Sequence, residues 1–421
     1  MKSYLTDKKA NLLILGCWLI YVAAYCGRLN YSASLTAIIS DLGITNAQGG
    51  MVYSAFAITY GVGQFANGLL CKFYNPKYVL TAALAASGVC NLLLPFCSDP
   101  LLMAGIWLVN GAVQSMLWSL IIRTLSTEVA DNKLDSAIVA LSSTVAVGTA
   151  LAFGISALFA ALGNWRITFF TSSAVLFVMA AVWFCIACVL SRAERVEAAP
   201  VTAVPLQETP KAPPSATPLQ ATLMKGLMIS ICAICAAAIV NGFIKDGVNN
   251  WLPKYLTERF SLPTSLSIIL TLLLPLFSIL GTVIGRLLYR KLHNHTLICS
   301  LEYGISCLLL CGILLSHTAG ALIPMMILFI LLACMMASVN NIITSMFPLD
   351  NRHRINSGLL AGTLDTVCYV GSSIAGTLLG LLAQNRGWMT VFTLLLVLSA
   401  VAALVCLVFS LPVRKSRSKR A

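Results

Sequence analysis

Charge is scarce in this chain. Only 10% of its 421 residues are Asp, Glu, Lys or Arg, while 59% are apolar and the mean hydropathy is +0.89. Soluble domains carry roughly a quarter charged residues, so the composition excludes that class and leaves a polytopic membrane protein. Histidine is just as scarce: the four residues His293, His295, His317 and His353 lie in or near loops. A metal site or a histidine proton relay inside the membrane has little to build on, and no cofactor is implied. Acidic residues number 14 against 27 basic ones. The surplus sits in short segments between apolar runs, so the positive-inside rule accounts for it and nucleic acid does not. Nucleophile, base and orienting group converge in no motif, which argues against an enzyme.

Cysteine is the exception to this scarcity, with fifteen copies scattered through apolar runs. The C-x-x-C pairs Cys185/Cys188 and Cys232/Cys235 fall inside hydrophobic helices with no histidine nearby, where cysteine serves as a small apolar side chain.

The apolar runs lie near 11–39, 48–71, 77–97, 100–124, 134–161 and 165–190, then near 224–255, 262–289, 295–316, 319–347, 355–384 and 387–411. The expected architecture is an all-α membrane protein of twelve transmembrane helices in two pseudo-symmetric six-helix bundles, 1–190 and 224–421. Residues 191–223 hold six of the fifteen prolines and few large apolar residues, and read as a tether. The first run is too long for a signal-peptide core and reads as a retained helix. Counted from a cytoplasmic N-terminus, 21 basic residues fall on that side, four on the other (Arg166, Lys254, Arg259, Arg386) and two, Arg28 and Lys245, inside the membrane. Both termini and the linker are therefore expected in the cytoplasm of a cell that carries the protein in its plasma or inner membrane.

A repeat supports the division. Val147-Gly148, Trp165 and Phe169 recur as Val370-Gly371, Trp388 and Phe392, each 223 residues on. Paired halves of this kind are the plan of alternating-access transporters, with the site between the halves near the midplane.

The intramembrane cation Arg28 is the organising feature. A charge at that depth is costly unless it faces a polar cavity and a counter-charge. Tyr21, Tyr25 and Arg28 share one helical face at i, i+4 and i+7. The seventh helix supplies the counterpart: Asn241, Lys245 and Asn249 share a face, with Asp246 beside them, and Lys245 follows Arg28 by 217 residues. Two cations facing each other across the halves repel unless an anion bridges them, which points to a small anionic substrate. The competing reading has Lys245 neutralised by Asp246 or Asp365. Asp365 is thus either the partner of Lys245 in the empty site or a proton-coupling carboxylate, and it shares a face with Tyr369 and Ser372. Gln114, Trp118, Tyr53, Tyr60, Asn340, Asn341 and Thr344 are further candidates for a cavity wall. Glu302 reads as a partner for the basic loop after the eighth helix.

The stretches Tyr21 to Asn30 (Y-V-A-A-Y-C-G-R-L-N), Gly68 to Lys77, Gln114 to Thr124, Asn164-Trp165-Arg166, Asp246 to Leu256 (D-G-V-N-N-W-L-P-K-Y-L) and Gly358 to Gly371 resemble the major facilitator superfamily, and within it the organophosphate:phosphate antiporter family of glycerol-3-phosphate and hexose-phosphate transporters. The resemblance implies that Arg28 is the phosphate-binding arginine of the first helix, with Tyr21 and Tyr25 beside it, and that Lys245 stands where the family has a second arginine. The chain departs elsewhere: Val145 replaces a histidine, Asn250 and Pro275 replace acids, and Cys71 replaces the aspartate of the loop after the second helix. The leading expectation is a monomeric antiporter exchanging an organophosphate for phosphate around Arg28 and Lys245, aided by Tyr21, Tyr25, Asn241, Asn249, Gln114 and Tyr369. The alternatives are a proton-coupled carboxylate or sugar-acid symporter using Asp365 or Asp246, and a transporter-like sugar-phosphate sensor.

Overall fold

A computed structural model describes residues 3–191, 195–197, 218–351, 355 and 357–418. Its long helices are α1 (Asp7–Leu42), α2 (Asn46–Leu70), α3 (Pro76–Leu93), α4 (Pro100–Glu128), α5 (Asp131–Ala161), α6 (Trp165–Ser191), α7 (Pro218–Phe260), α8 (Thr264–Leu292), α9 (His295–Ala319), α10 (Leu322–Asp350), α11 (Ser357–Arg386) and α12 (Trp388–Ser418). Much of the expected 191–223 tether lies outside the described residues. Within it, Arg195–Glu197 pair antiparallel with Ser3–Leu5, and α7 already begins at Pro218.

Short polar sequences set the helix ends. Thr45 accepts from the Gln48 amide while the Gln48 side chain accepts from the Thr45 amide, a capping box that starts α2. Asn75 and Asp99 cap α3 and α4, each followed by a proline at the first helical position, where its missing N–H costs nothing. Gly43 and Gly320 end α1 and α9 with φ of 63° and 67°, a conformation cheap only for glycine.

Among the described residues, eleven of these helices are long and apolar enough to cross a bilayer, and α2 is the one left out. Its lower hydropathy has a structural cause. This helix carries Asn46, Tyr53, Ser54, Tyr60 and Asn67, and it bonds α11 of the other half through Asn46 and Ser54 and α4 of its own half through Asn67.

The repeat has a physical basis in the packing. A Cβ at Gly148 would collide with Tyr25 on α1, and one at Gly371 with the Ile239 carbonyl on α7, so each glycine lets its helix sit against the first helix of its own half. Trp165 donates its indole N–H to Asp41 at 3.1 Å, and Trp388 donates to Glu258 at 2.7 Å. Asp41 and Glu258 are again 217 residues apart. Arg166 pairs with Asp41 at 2.7 Å and Lys254 with Glu258 at 2.9 Å, so both halves carry the same carboxylate-centred clasp at the end remote from the termini.

The halves meet along two seams that begin at that same end. On one, the Asn46 amide donates to Gln384, Ser54 donates to the Ser373 carbonyl and Thr366 to that of Gly61. Gly50 lies so close to Gly376 that a side chain there would overlap its carbonyl. On the other, Ala152, Phe153 and Ala157 of α5 pack with Ile268 of α8.

Candidate functional site

Beyond those seams the halves part around a cavity of about 460 Å³, which extends toward the end carrying the termini along Thr282 of α8 and Thr344 and Ser345 of α10. Arg28 and Lys245 both line it, one from each half.

The Arg28 guanidinium sits 3.9 Å from the Tyr25 ring centre, 5.2 Å from that of Tyr60 and 5.6 Å from that of Tyr21. One of its N–H groups donates to the Tyr60 hydroxyl at 2.7 Å. A desolvated cation–π contact contributes on the order of 2 kcal/mol, so this aromatic collar holds the cation in place without neutralising it. Its remaining donors stay available to an anion in a planar fork.

The backbone under Arg28 is pinned as well. Asn91 and Asn110 both donate to the Gly27 carbonyl, at 3.0 and 2.9 Å. Asn30 donates to Asn91, Ser87 to Asn110 and Gln114 to Ser87, closing a buried network across α1, α3 and α4. The Asn30 and Gln114 oxygens accept no bond, but the bonds that do form hold the Gly27 carbonyl from two sides and so fix where the Arg28 side chain starts.

On the opposite wall Lys245 lies 3.6 Å from Asp246, its nearest carboxylate, with side-chain exposures of 30% and 20%. Ser372 donates to the other Asp246 oxygen at 2.5 Å. Asp365 is within electrostatic range of both Lys245 and Arg28, makes no ion pair within 4.0 Å among the described residues and does not line the cavity. Tyr369 does line it, with its ring centre 4.9 Å from that of Tyr60 across the half boundary.

Several residues stand elsewhere than the sequence suggested. Tyr21 does not line the cavity; at 6% exposure it packs behind Tyr25 against Trp118, because the helix turns its ring toward α4. Asn241 is fully buried and donates to the Met336 carbonyl, tying α7 to α10. Gln114 belongs to the network under Gly27 and is 1% exposed. Tyr60 is buried with its hydroxyl toward Arg28. Glu302 does not reach a loop cation: it is fully buried and accepts from the Ser338 hydroxyl of α10. Cys71, standing in place of a family aspartate, offers its backbone carbonyl to Arg123, which also donates to Tyr74 and so braces the turn.

Asn249, Tyr53, Asn340, Asn341 and Thr344 line the cavity, together with Val145, Asn250 and Pro275, the positions of family departures. Ser32, Thr149, Ser278 and Thr282 also line the cavity and were not legible in the sequence, since lone hydroxyls on apolar helices usually bond their own backbone. Nor did it show that α10 has a π-helical turn at Ile342–Met346. That turn sets Thr344 and Ser345 on the wall, and π-turns are often found where helices carry function.

The Major Facilitator Superfamily matches residues 17–360. The chain belongs to this superfamily. A probable hexose phosphate transport protein of Chlamydia trachomatis is 32% identical over 98 residues, 23% of this chain and 22% of that protein. The membrane sensor protein UhpC of Escherichia coli is 28% identical over 102 residues, covering 24% and 23%, and a probable sulfoacetate transporter, SauU, of Cupriavidus necator is 34% identical over 104 residues, covering 24% of each. These matches span about a quarter of the curated relatives or less. Among solved structures, a bacterial homolog of the human lysosomal transporter Spinster, inward-facing and unoccupied, superposes with a TM-score of 0.73 at 13% identity, covering 96% of this chain and 98% of that one. That likeness shows the fold. The chain is a multi-pass membrane protein of this superfamily.

Proposed function

We propose that the protein carries a small organic anion by alternating access, exchanging a phosphate ester for inorganic phosphate around Arg28 and Lys245. The observation that carries this reading is the cavity itself, which takes one cation from each half, the first held by aromatic rings and, among the described residues, left without a carboxylate within 4.0 Å. An anion between the two side chains attracts both walls, and each cation still holds it when one seam opens and the other closes. Names among the relatives support an organic anion, since five of them refer to a hexose phosphate, glycerol-3-phosphate or sulfoacetate.

Around this site the halves are residues 1–190 and 224–421, joined by a segment at 191–223, in a monomer. The basic segments put both termini and that segment in the cytoplasm, so the cavity opens inward. Tyr25, Asn249 and Tyr369 join the cations on the wall, while Tyr21, Asn241 and Gln114 support it from behind. Asp246 holds Lys245 while the site is empty, with Asp365 near enough to add its field but not to pair with it.

The test is counterflow in proteoliposomes. Phosphate inside should speed entry of radiolabelled glycerol 3-phosphate or glucose 6-phosphate at least ten-fold over empty vesicles. If only an imposed proton gradient drives uptake, and the solute taken up is a carboxylate, the protein is a symporter and exchange is wrong. Binding without uptake in cells that lack any partner kinase would make it a sensor.

A further inference from the structure

Where α8 leaves the cavity it carries unpaired positive charge. Pro275, Ser278, Ile279 and Thr282 line the cavity and so mark the face of α8 turned toward it. Leu276, Leu280, Val283 and Leu287, between 39% and 54% exposed, mark its lipid face. At about 100° per residue the two faces lie roughly 120° apart around the helix. Arg286 stands one turn beyond Thr282, only about 30° from the cavity face and about 90° from the lipid face. Arg290, a further turn on, stands between the two faces at the rim. Both arginines are exposed, and among the described residues neither has a carboxylate within 4.0 Å. Asp350, at the same end of α10, is engaged by the Tyr289 hydroxyl and by His295.

The wall between this mouth and the deep cations is neutral. Ser278, Thr282 and Thr344 donate to carbonyls of their own helices at 2.8, 2.8 and 2.9 Å. Asp246 is the one carboxylate among the described lining residues, and Lys245 and Ser372 engage it. An anion that enters past Arg286 therefore meets no repelling charge before it reaches Arg28 and Lys245. The positive-inside bias accounts for how many basic residues lie at this end, not for the face of α8 on which Arg286 stands. Charge at the opening of a cleft with low-dielectric walls focuses its field into the cleft and concentrates ions of opposite sign there.

We infer that Arg286, with Arg290 at the rim, forms an outer site that captures small anions at the cavity mouth and turns small cations away. The anion reading above supplies what is passed on to Arg28 and Lys245, whereas the charge selection itself rests on the placement of these two arginines. Capture at an exposed site acts on the rate of entry, and it fades as salt shortens the screening length from about 8 Å at physiological strength to about 3 Å at 1 M.

The experiment places a thiol at the mouth with Thr282→Cys in the full-length protein in detergent. Its rates of modification by 2-sulfonatoethyl methanethiosulfonate, an anion, and by the 2-(trimethylammonio)ethyl analogue, a cation, are each divided by the rate with free 2-mercaptoethanol. Mass spectrometry of the peptide that carries residue 282 keeps the native cysteines out of the readout. The anionic reagent should be favoured roughly ten-fold. Arg286→Gln should cut that preference at least three-fold, Arg290→Gln added to it should cut it further, and about 1 M salt should remove most of it. A folding defect alters both reagents alike and leaves the ratio standing. A ratio unmoved by the arginine substitutions, or no preference in the Thr282→Cys protein itself, overturns the outer site. Binding of inorganic phosphate to Arg28→Ala keeps the two readings apart. Phosphate binding lost there, beside a ratio that ignores Arg286→Gln, sinks the outer site alone. Full phosphate binding there, beside a ratio that falls in Arg286→Gln, sinks the deep anion site alone.

Discussion

At the scale of single residues the account turns on how a guanidinium survives inside an apolar bundle. Arg28 does so by lying among the rings of Tyr25, Tyr60 and Tyr21, with its starting backbone fixed by the Asn91 and Asn110 bonds to Gly27. Replacing Arg28 with Lys keeps the charge but loses the planar fork, and transport measured as counterflow should fall at least ten-fold with the amount of inserted protein unchanged. Lys245→Arg should go the other way, retaining transport and tightening phosphate binding a few-fold, because the added fork grips two oxygens at once. Asn110→Ala removes one of the two donors to the Gly27 carbonyl and leaves that carbonyl less restrained. A hydrogen bond of this kind contributes about 1 kcal/mol, so the variant should fold, melt a few degrees lower and bind anion several-fold more weakly.

At the scale of helices, two kinds of close approach do different jobs. Gly242 touches the Cys368 carbonyl within one half, whereas Gly50 touches the Gly376 carbonyl across the seam. Valine at Gly242 forces α7 off α11 and should lower the melting temperature, since overpacking a core costs about 1 to 3 kcal/mol. Valine at Gly50 wedges the seam between the halves instead. That protein should keep its melting temperature within a few degrees, lose transport and become more reactive to cysteine reagents at the end remote from the termini. Much at this scale was legible in the sequence: the run of apolar segments, the repeat through Gly148 and Gly371, and the basic segments between helices. The clasps were not, because Trp165 and Trp388 read only as repeat markers until their carboxylate partners came to lie beside them. The roles of Gln114 and Asn241 were also hidden. A polar residue on an apolar helix looks the same in sequence whether it faces a cavity or a neighbouring helix, and here Gln114 bonds the Ser87 hydroxyl and Asn241 the Met336 carbonyl. Arg28 and Lys245 were legible because an intramembrane charge has so few acceptable surroundings.

For the whole molecule, the closed seams at one end and the cavity toward the other describe one member of a pair of states, and exchange requires that both be reached with the anion in place. The cross-seam contacts are neutral hydrogen bonds and small-residue contacts, while the ion pairs of the clasps lie within each half. Rocking therefore breaks no salt bridge in the clasps, and the halves move as units. The measurement that tests the central claim most directly is binding of inorganic phosphate to purified wild type, Arg28→Ala and Lys245→Ala side by side. If the two cations share one anion, each substitution weakens phosphate binding at least ten-fold and the double variant binds none. Phosphate bound equally well by all of them would contradict the account.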